Sequence, residues 1–172
     1  LDTADLDQLT VSIEDSGLSS SRGKFDHVTY VSARGCPRGC DFCAVAKQRY
    51  RAKSIPAVKR DLQFLSADIG CRRIAIEDNF FAHCKSRTLE ICDAIRRLRT
   101  VEQLDISWDC QTRVESVCDI EVVEAMAAAG CEAAYIGVES LCEDLLRYLG
   151  KTSQPADYLS ALESLVVPGL IG

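Results

Sequence analysis

A strand followed by a helix recurs along this chain, and the recurrence limits the fold more than any single residue does. Residues 27–34 read as a strand. Residues 54–69 then place Val58, Leu62, Leu65 and Ile69 on one helical face, and Gly70 closes the helix. Residues 73–76 form a short β-branched strand, followed by a helix from Ser86 to about Arg99. Leu89, Cys92, Ile95 and Leu98 face inward on it, and Arg87, Asp93, Arg96 and Arg97 face outward. In the third unit Leu104, Ile106 and Trp108 alternate as a strand does, Asp119 can cap a helix through Ala129, and Gly130 ends it. Residues 133–138 supply a fourth strand. Leu141, Leu145, Leu146 and Leu149 then mark a helix stopping at Gly150, and 158–166 continue as another helical stretch.

This rhythm predicts a parallel sheet with right-handed crossovers, whose ligands bind at the carboxyl ends of the strands. Four polar clusters fall at such ends: a cysteine-rich loop after residue 34, Glu77-Asp78-Asn79, residues 109–113, and Gly137-Val138-Glu139-Ser140. Each has a plain alternative when taken singly. Glu77 and Asp78 can cap a helix, Arg113 can form a surface ion pair, and Glu139-Ser140 can start a helix. Their coincidence at one edge favours a site.

The loop carries the chemistry. Cys36, Cys40 and Cys43 stand in Ser32-Ala-Arg-Gly-Cys-Pro-Arg-Gly-Cys-Asp-Phe-Cys, a C-x3-C-x2-C triplet. Three thiolates so spaced can hold a 4Fe-4S cluster and leave its fourth iron without a protein ligand. A cluster that only carries electrons is held by four cysteines, and a structural zinc site wants paired C-x2-C motifs or added histidines. His27 and His83 are the only histidines, and no second C-x2-C pair occurs. The other seven cysteines, Cys71, Cys84, Cys92, Cys110, Cys118, Cys131 and Cys142, are scattered singly and read as reduced, largely buried thiols.

A length of 172 residues suits one domain with a proper core, and a net charge of −6 argues against broad binding of nucleic acid through its phosphates. The basic stretch 47–51 reads as a solvated loop. No apolar run reaches membrane-spanning length, and the amino terminus lacks the order of a signal peptide. The expected location is the cytoplasm, with no membrane partner.

The triplet, with Phe42 just before its last cysteine, resembles the signature of the radical S-adenosylmethionine (radical SAM) superfamily. That resemblance implies that the methionyl amine and carboxylate of S-adenosylmethionine chelate the open iron, and that an electron from the reduced cluster splits the sulfonium to give a 5'-deoxyadenosyl radical. Ile74-Ala-Ile-Glu-Asp-Asn-Phe-Phe is similar to the second-strand segment of the subgroup whose longer members carry a cobalamin-binding domain. The likeness implies cofactor contacts from Glu77, Asp78 and Asn79, with Glu77 and Asp78 accepting from the methionyl ammonium. Tyr135-Ile-Gly-Val-Glu-Ser is similar to a fourth-strand segment, which implies Glu139 and Ser140 near the ribose hydroxyls. Arg113 matches an arginine after the third strand that offsets the methionyl carboxylate or a neighbouring polar group, and Phe42 would pack near the adenine. The cofactors implied are a 4Fe-4S cluster and S-adenosylmethionine, with cobalamin reaching the site through a domain not in this chain. The partners implied are a small-molecule substrate, not identified, and an electron donor such as flavodoxin or ferredoxin.

The expected architecture is an α/β partial (β/α)6 barrel of the radical SAM type, with about four to five βα units present. Residues 1–24 read as a linker-like segment and 25–172 as the core domain, C-terminally incomplete. Leu162, Leu165, Val166, Val167, Leu170 and Ile171 are strongly apolar for a chain end and are expected to leave an associating edge. Two alternatives remain: within the resembled family, a methylthiotransferase-like radical SAM enzyme, and, from another class, a non-catalytic iron–sulfur or zinc-binding module that keeps the triplet.

Overall fold

The computed structural model describes residues 6–8 and 23–165. Among the described residues from 23 onward the main elements run in the order β1 (His27–Tyr30), β2 (Ala33–Arg34), β3 (Arg51–Ala52), α1 (Ile55–Gln63), β4 (Arg73–Ile76), α2 (Lys85–Thr100), β5 (Ser107–Thr112), α3 (Val114–Val117), α4 (Ile120–Ala128), β6 (Cys131–Ile136), α5 (Glu143–Tyr148) and α6 (Pro155–Leu165). Four of the strands form a parallel sheet in the order β1-β4-β5-β6, while β2 and β3 pair antiparallel with each other.

That order decides the architecture. Each new parallel strand is added on the same side of the last, so right-handed crossovers carry every connecting helix to one face of the sheet. A doubly wound sheet reverses its order and covers both faces; this one does not. Tyr30, Ile74, Ile76, Trp108 and Cys110 are buried on the helix side with Ile91, Ile95 and Leu98 of α2 and Met126 of α4. Trp108 anchors this layer, its ring 5.2 Å from that of Phe81 and its Nε1 donating to the Ala129 carbonyl at 3.0 Å. The alternate residues His27, Thr29, Arg73, Gln111 and Tyr135 are exposed on the other face. The result is the curved wall of a partial barrel, and its polar inner face includes a cleft of about 270 Å³ at the strand starts, lined by His27, Arg73, Asp109 and Glu132.

Local chemistry places the elements. Ser54 caps α1, its hydroxyl accepting from the Ala57 amide, and Pro56 sits in the first turn where its missing N–H is harmless. The helix runs on through a π-turn at Phe64–Asp68, and Gly70 then takes φ +84° to turn the chain into β4. Residues 6–8, inside the segment read as a linker, form a helical turn with Leu6 buried and Asp7 accepting from the Ser54 amide at 2.8 Å. The rest of the segment up to residue 22, and residues 166–172 with Val166, Val167, Leu170 and Ile171 of the expected associating edge, lie outside the described residues.

Several boundaries differ from those expected. The single strand 27–34 is two, because β1 stops at Tyr30 and β2 leaves the sheet to pair with β3. Leu104 and Ile106 precede β5 and are apolar because they pack against the core rather than because they pair. The fourth strand is Cys131–Ile136 rather than 133–138, and Leu141, 60% exposed, lies outside α5. Arg87, read as outward, turns in and donates to the carbonyls of Lys53 and Ser32.

Candidate functional site

The cysteine loop joins β2 to β3 at the carboxyl edge of the sheet, and its anchors are visible residue by residue. Where β1 ends, the Asp78 carboxylate accepts from the Ser32 amide at 2.6 Å, the Ser32 hydroxyl at 2.5 Å and the Ala33 amide at 2.8 Å. Asp78 is only 1% exposed, and burial pushes its carboxyl pKa up against the lowering effect of these bonds. Behind it lies a buried ion pair, Lys53 Nζ to Asp61 Oδ2 at 2.6 Å, joined by the Tyr30 hydroxyl at 2.9 Å.

The loop then closes on itself. Gly35 has φ +86°, and a Cβ there would stand 2.2 Å from the Arg49 carbonyl oxygen, so the two legs cross at a point that admits no side chain. The Lys47 amide donates to the Arg38 carbonyl at 2.7 Å, and the Cys43 amide to the Cys40 carbonyl at 3.1 Å. On its far side the loop leans on the end of α5: the Asp41 amide donates to the Leu149 carbonyl, and Gly150, at φ +68°, lets the Gly39 carbonyl approach. Cys36 and Cys40 are buried and Cys43 is half-buried.

Arg113 reaches this loop from the end of β5. Its Nε and Nη2 donate to Glu115, at 3.1 and 3.0 Å, and its Nη1 donates to the Cys40 sulfur at 3.2 Å. The Thr152 hydroxyl completes the clamp on Glu115. Burial alone would raise the Glu115 pKa, but the Arg113 hydrogen bonds and charge outweigh it and hold the group at about 2. The Phe80 ring lies 6.0 Å from the Arg113 guanidinium and 5.8 Å from that of Arg38.

The structure brings most of the expected residues to one rim. Glu77 continues β4 and accepts from Gln111 Nε2 of β5 at 2.6 Å, and Asn79 is exposed beside it. Phe42 is 53% exposed at the loop tip, free to cover a planar group. Glu139 takes a left-handed φ of +60° and pairs with the half-buried Lys151 at 3.2 Å, and the Ser140 hydroxyl accepts from the Cys142 amide. Asp78 is placed otherwise than expected: its carboxylate is turned into the loop and taken up by Ser32 and Ala33.

The donor set fits an iron–sulfur cluster. Three thiols come from one doubly anchored loop, and a guanidinium donates to one of the sulfurs, as suits a ligand that carries negative charge. Among the described residues no three His, Cys, Asp or Glu side chains converge as the ligands of a single ion would. A cubane spreads its cysteines over separate corners and asks for no such convergence. Sequence reasoning missed Ser32, Glu115 and the inward turn of Arg87. Arg113 and Glu115 stand two positions apart at a strand-to-helix junction, where no periodicity announces the pair.

A model of the radical SAM superfamily matches residues 30–169. An uncharacterized methyltransferase of Pyrococcus horikoshii is 32% identical over 143 residues, covering 81% of this chain and 30% of that protein. The bacteriochlorophyllide d C-12(1)-methyltransferase of Chlorobaculum tepidum is 24% identical over 80% of the chain and 30% of its own length. The chain thus spans about 30% of these curated relatives. Among solved structures, the radical SAM methyltransferase TsrM of Kitasatospora setae superposes with a TM-score of 0.74 at 18% identity, over 84% of this chain and 29% of that one. The cobalamin-dependent radical SAM enzyme OxsB gives 0.70 at 22% identity, over 80% and 22%. Both share the partial-barrel fold.

Proposed function

The chain belongs to the radical SAM superfamily of enzymes, and on that footing we propose that it holds a 4Fe-4S cluster on Cys36, Cys40 and Cys43 and cleaves S-adenosylmethionine reductively. The observation that carries this reading is the triplet loop itself, fixed at the carboxyl edge of a parallel sheet between Asp78 and the end of α5, with Arg113 donating to Cys40. The cluster, when bound, would pass one electron from an external donor to S-adenosylmethionine, breaking its C5'–S bond into methionine and a 5'-deoxyadenosyl radical.

The residues of this chain bind and orient. Asp78 keeps the loop in register with the sheet. Glu77, in reach of Gln111 at the rim, offers a carboxylate for the methionyl ammonium, with Asn79 beside it. The Arg113 guanidinium, with more N–H groups than Glu115 and Cys40 take up, suits the methionyl carboxylate. Phe42 would cover the adenine, and Glu139 with Ser140 would face the ribose. Because the named relatives are methyltransferases, methyl transfer is the favoured outcome over hydrogen abstraction alone, with cobalamin supplied by a domain outside this chain. The substrate is a small molecule, the reductant a flavodoxin- or ferredoxin-like protein, and the setting the cytoplasm.

Anaerobic reconstitution tests the reading. It should give about four irons per chain, as one open cubane requires. Cys40→Ala should abolish the iron–sulfur absorbance, whereas Cys118→Ala and Cys131→Ala should keep it. One bound zinc per chain and no cluster would overturn the proposal.

A further inference from the structure

We infer that Arg113 sets the reduction potential of the cluster through its hydrogen bond to Cys40, a role that rests on the triplet holding a cluster. Guanidinium stays charged at any working pH and is planar, so fixing two of its nitrogens fixes the third. Glu115 takes Nε and Nη2, and Nη1 is thereby aimed at the Cys40 sulfur at 3.2 Å. The Arg113 side chain is 13% exposed and flanked by Phe80, so water screens this contact poorly.

The direction follows from charge. Reduction adds one electron to the cluster and its thiolates. A cation and an N–H donor held against one ligand sulfur stabilise the more negative state and raise the potential. Glu115 offsets part of this through its own negative charge, but it lies on the far side of the guanidinium from the sulfur, so the nearer group decides the sign. Arg113 is on this account a positioning and tuning residue, and Glu115 orients it.

The test is an EPR-monitored redox titration of the reconstituted protein without S-adenosylmethionine, comparing wild type with Arg113→Met and Arg113→Lys. In Arg113→Met the reduction equilibrium should fall by about tenfold, which for one electron is 59 mV toward more negative potential. Arg113→Lys, which keeps the charge, should recover part of the shift. A wild-type midpoint in Arg113→Met with full iron content overturns the inference, even if S-adenosylmethionine binding is weakened, because that result gives Arg113 to the cofactor carboxylate alone. Should Arg113→Met fail to hold a cluster, Arg113→Gln decides: a negative shift supports the role and an unmoved midpoint ends it. Failure of the wild type to take up a cluster would instead strike the functional reading on which this inference rests.

Discussion

Asp78, two residues beyond β4, holds Ser32 by two bonds at once, accepting from its amide at 2.6 Å and from its hydroxyl at 2.5 Å. The break between β1 and β2 that leads into the cysteine loop is therefore tied to the segment following the neighbouring strand of the sheet, and the loop's position is inherited from β4 rather than from β1 alone.

Asp78→Ala should loosen that loop. It leaves three buried donors without their acceptor, and each bond to a charged group contributes roughly 1.5–3 kcal/mol. We expect a lower melting temperature and faster loss of iron to a chelator than in wild type, with Asp78→Asn intermediate. Wild-type cluster retention in Asp78→Ala, combined with weaker S-adenosylmethionine binding, would return Asp78 to the ammonium contact that the motif resemblance implies.

Gly35→Ala should be far more damaging than Gly23→Ala. Both positions have positive φ, but a Cβ at Gly35 would sit 2.2 Å from a backbone oxygen of Arg49, whereas at Gly23 it meets open space. Left-handed strain alone costs about 1–2 kcal/mol; the clash at Gly35 comes on top. Thermal unfolding of the two variants checks this, and equal losses would contradict the crossing of the loop legs.

Glu115 predicts an acid limb in stability. Its pKa falls from an ordinary 4.5 to about 2 in the folded chain. Its contribution is therefore present above about pH 4.5 and is lost as pH falls through about 2, amounting to roughly 3 kcal/mol as an upper figure. Glu115→Gln should be less stable at neutral pH and should flatten the curve in that window. Urea unfolding between pH 2 and 5 measures it, and parallel curves for the two proteins would show that the Arg113–Glu115 pair does not form.

The periodicity of the sequence reveals the βα units, since Val58, Leu62, Ile95 and Leu98 are buried on the faces their spacing implies, and glycines at 70, 130 and 150 turn the chain with positive φ. It does not reveal where β1 ends, because Val31-Ser-Ala continues a plausible strand and the break comes from Asp78, 46 residues away. The cysteine triplet is local and readable; the anchors around it are not. Ser32 and Arg87 act through tertiary contacts whose sequence separations carry no pattern, Glu115 through a pairing at a strand-to-helix junction that no periodicity marks, and the job of Asp78 emerges only when its partners are known.

The central claim is an open cubane at Cys36, Cys40 and Cys43, and the most direct measurement is the EPR spectrum of the reduced, reconstituted protein with and without S-adenosylmethionine. An iron free of protein ligands predicts a signal whose shape changes when the cofactor is added, and the loss of that signal in Cys40→Ala. An iron–sulfur signal indifferent to S-adenosylmethionine, or its persistence in Cys40→Ala, would contradict the account.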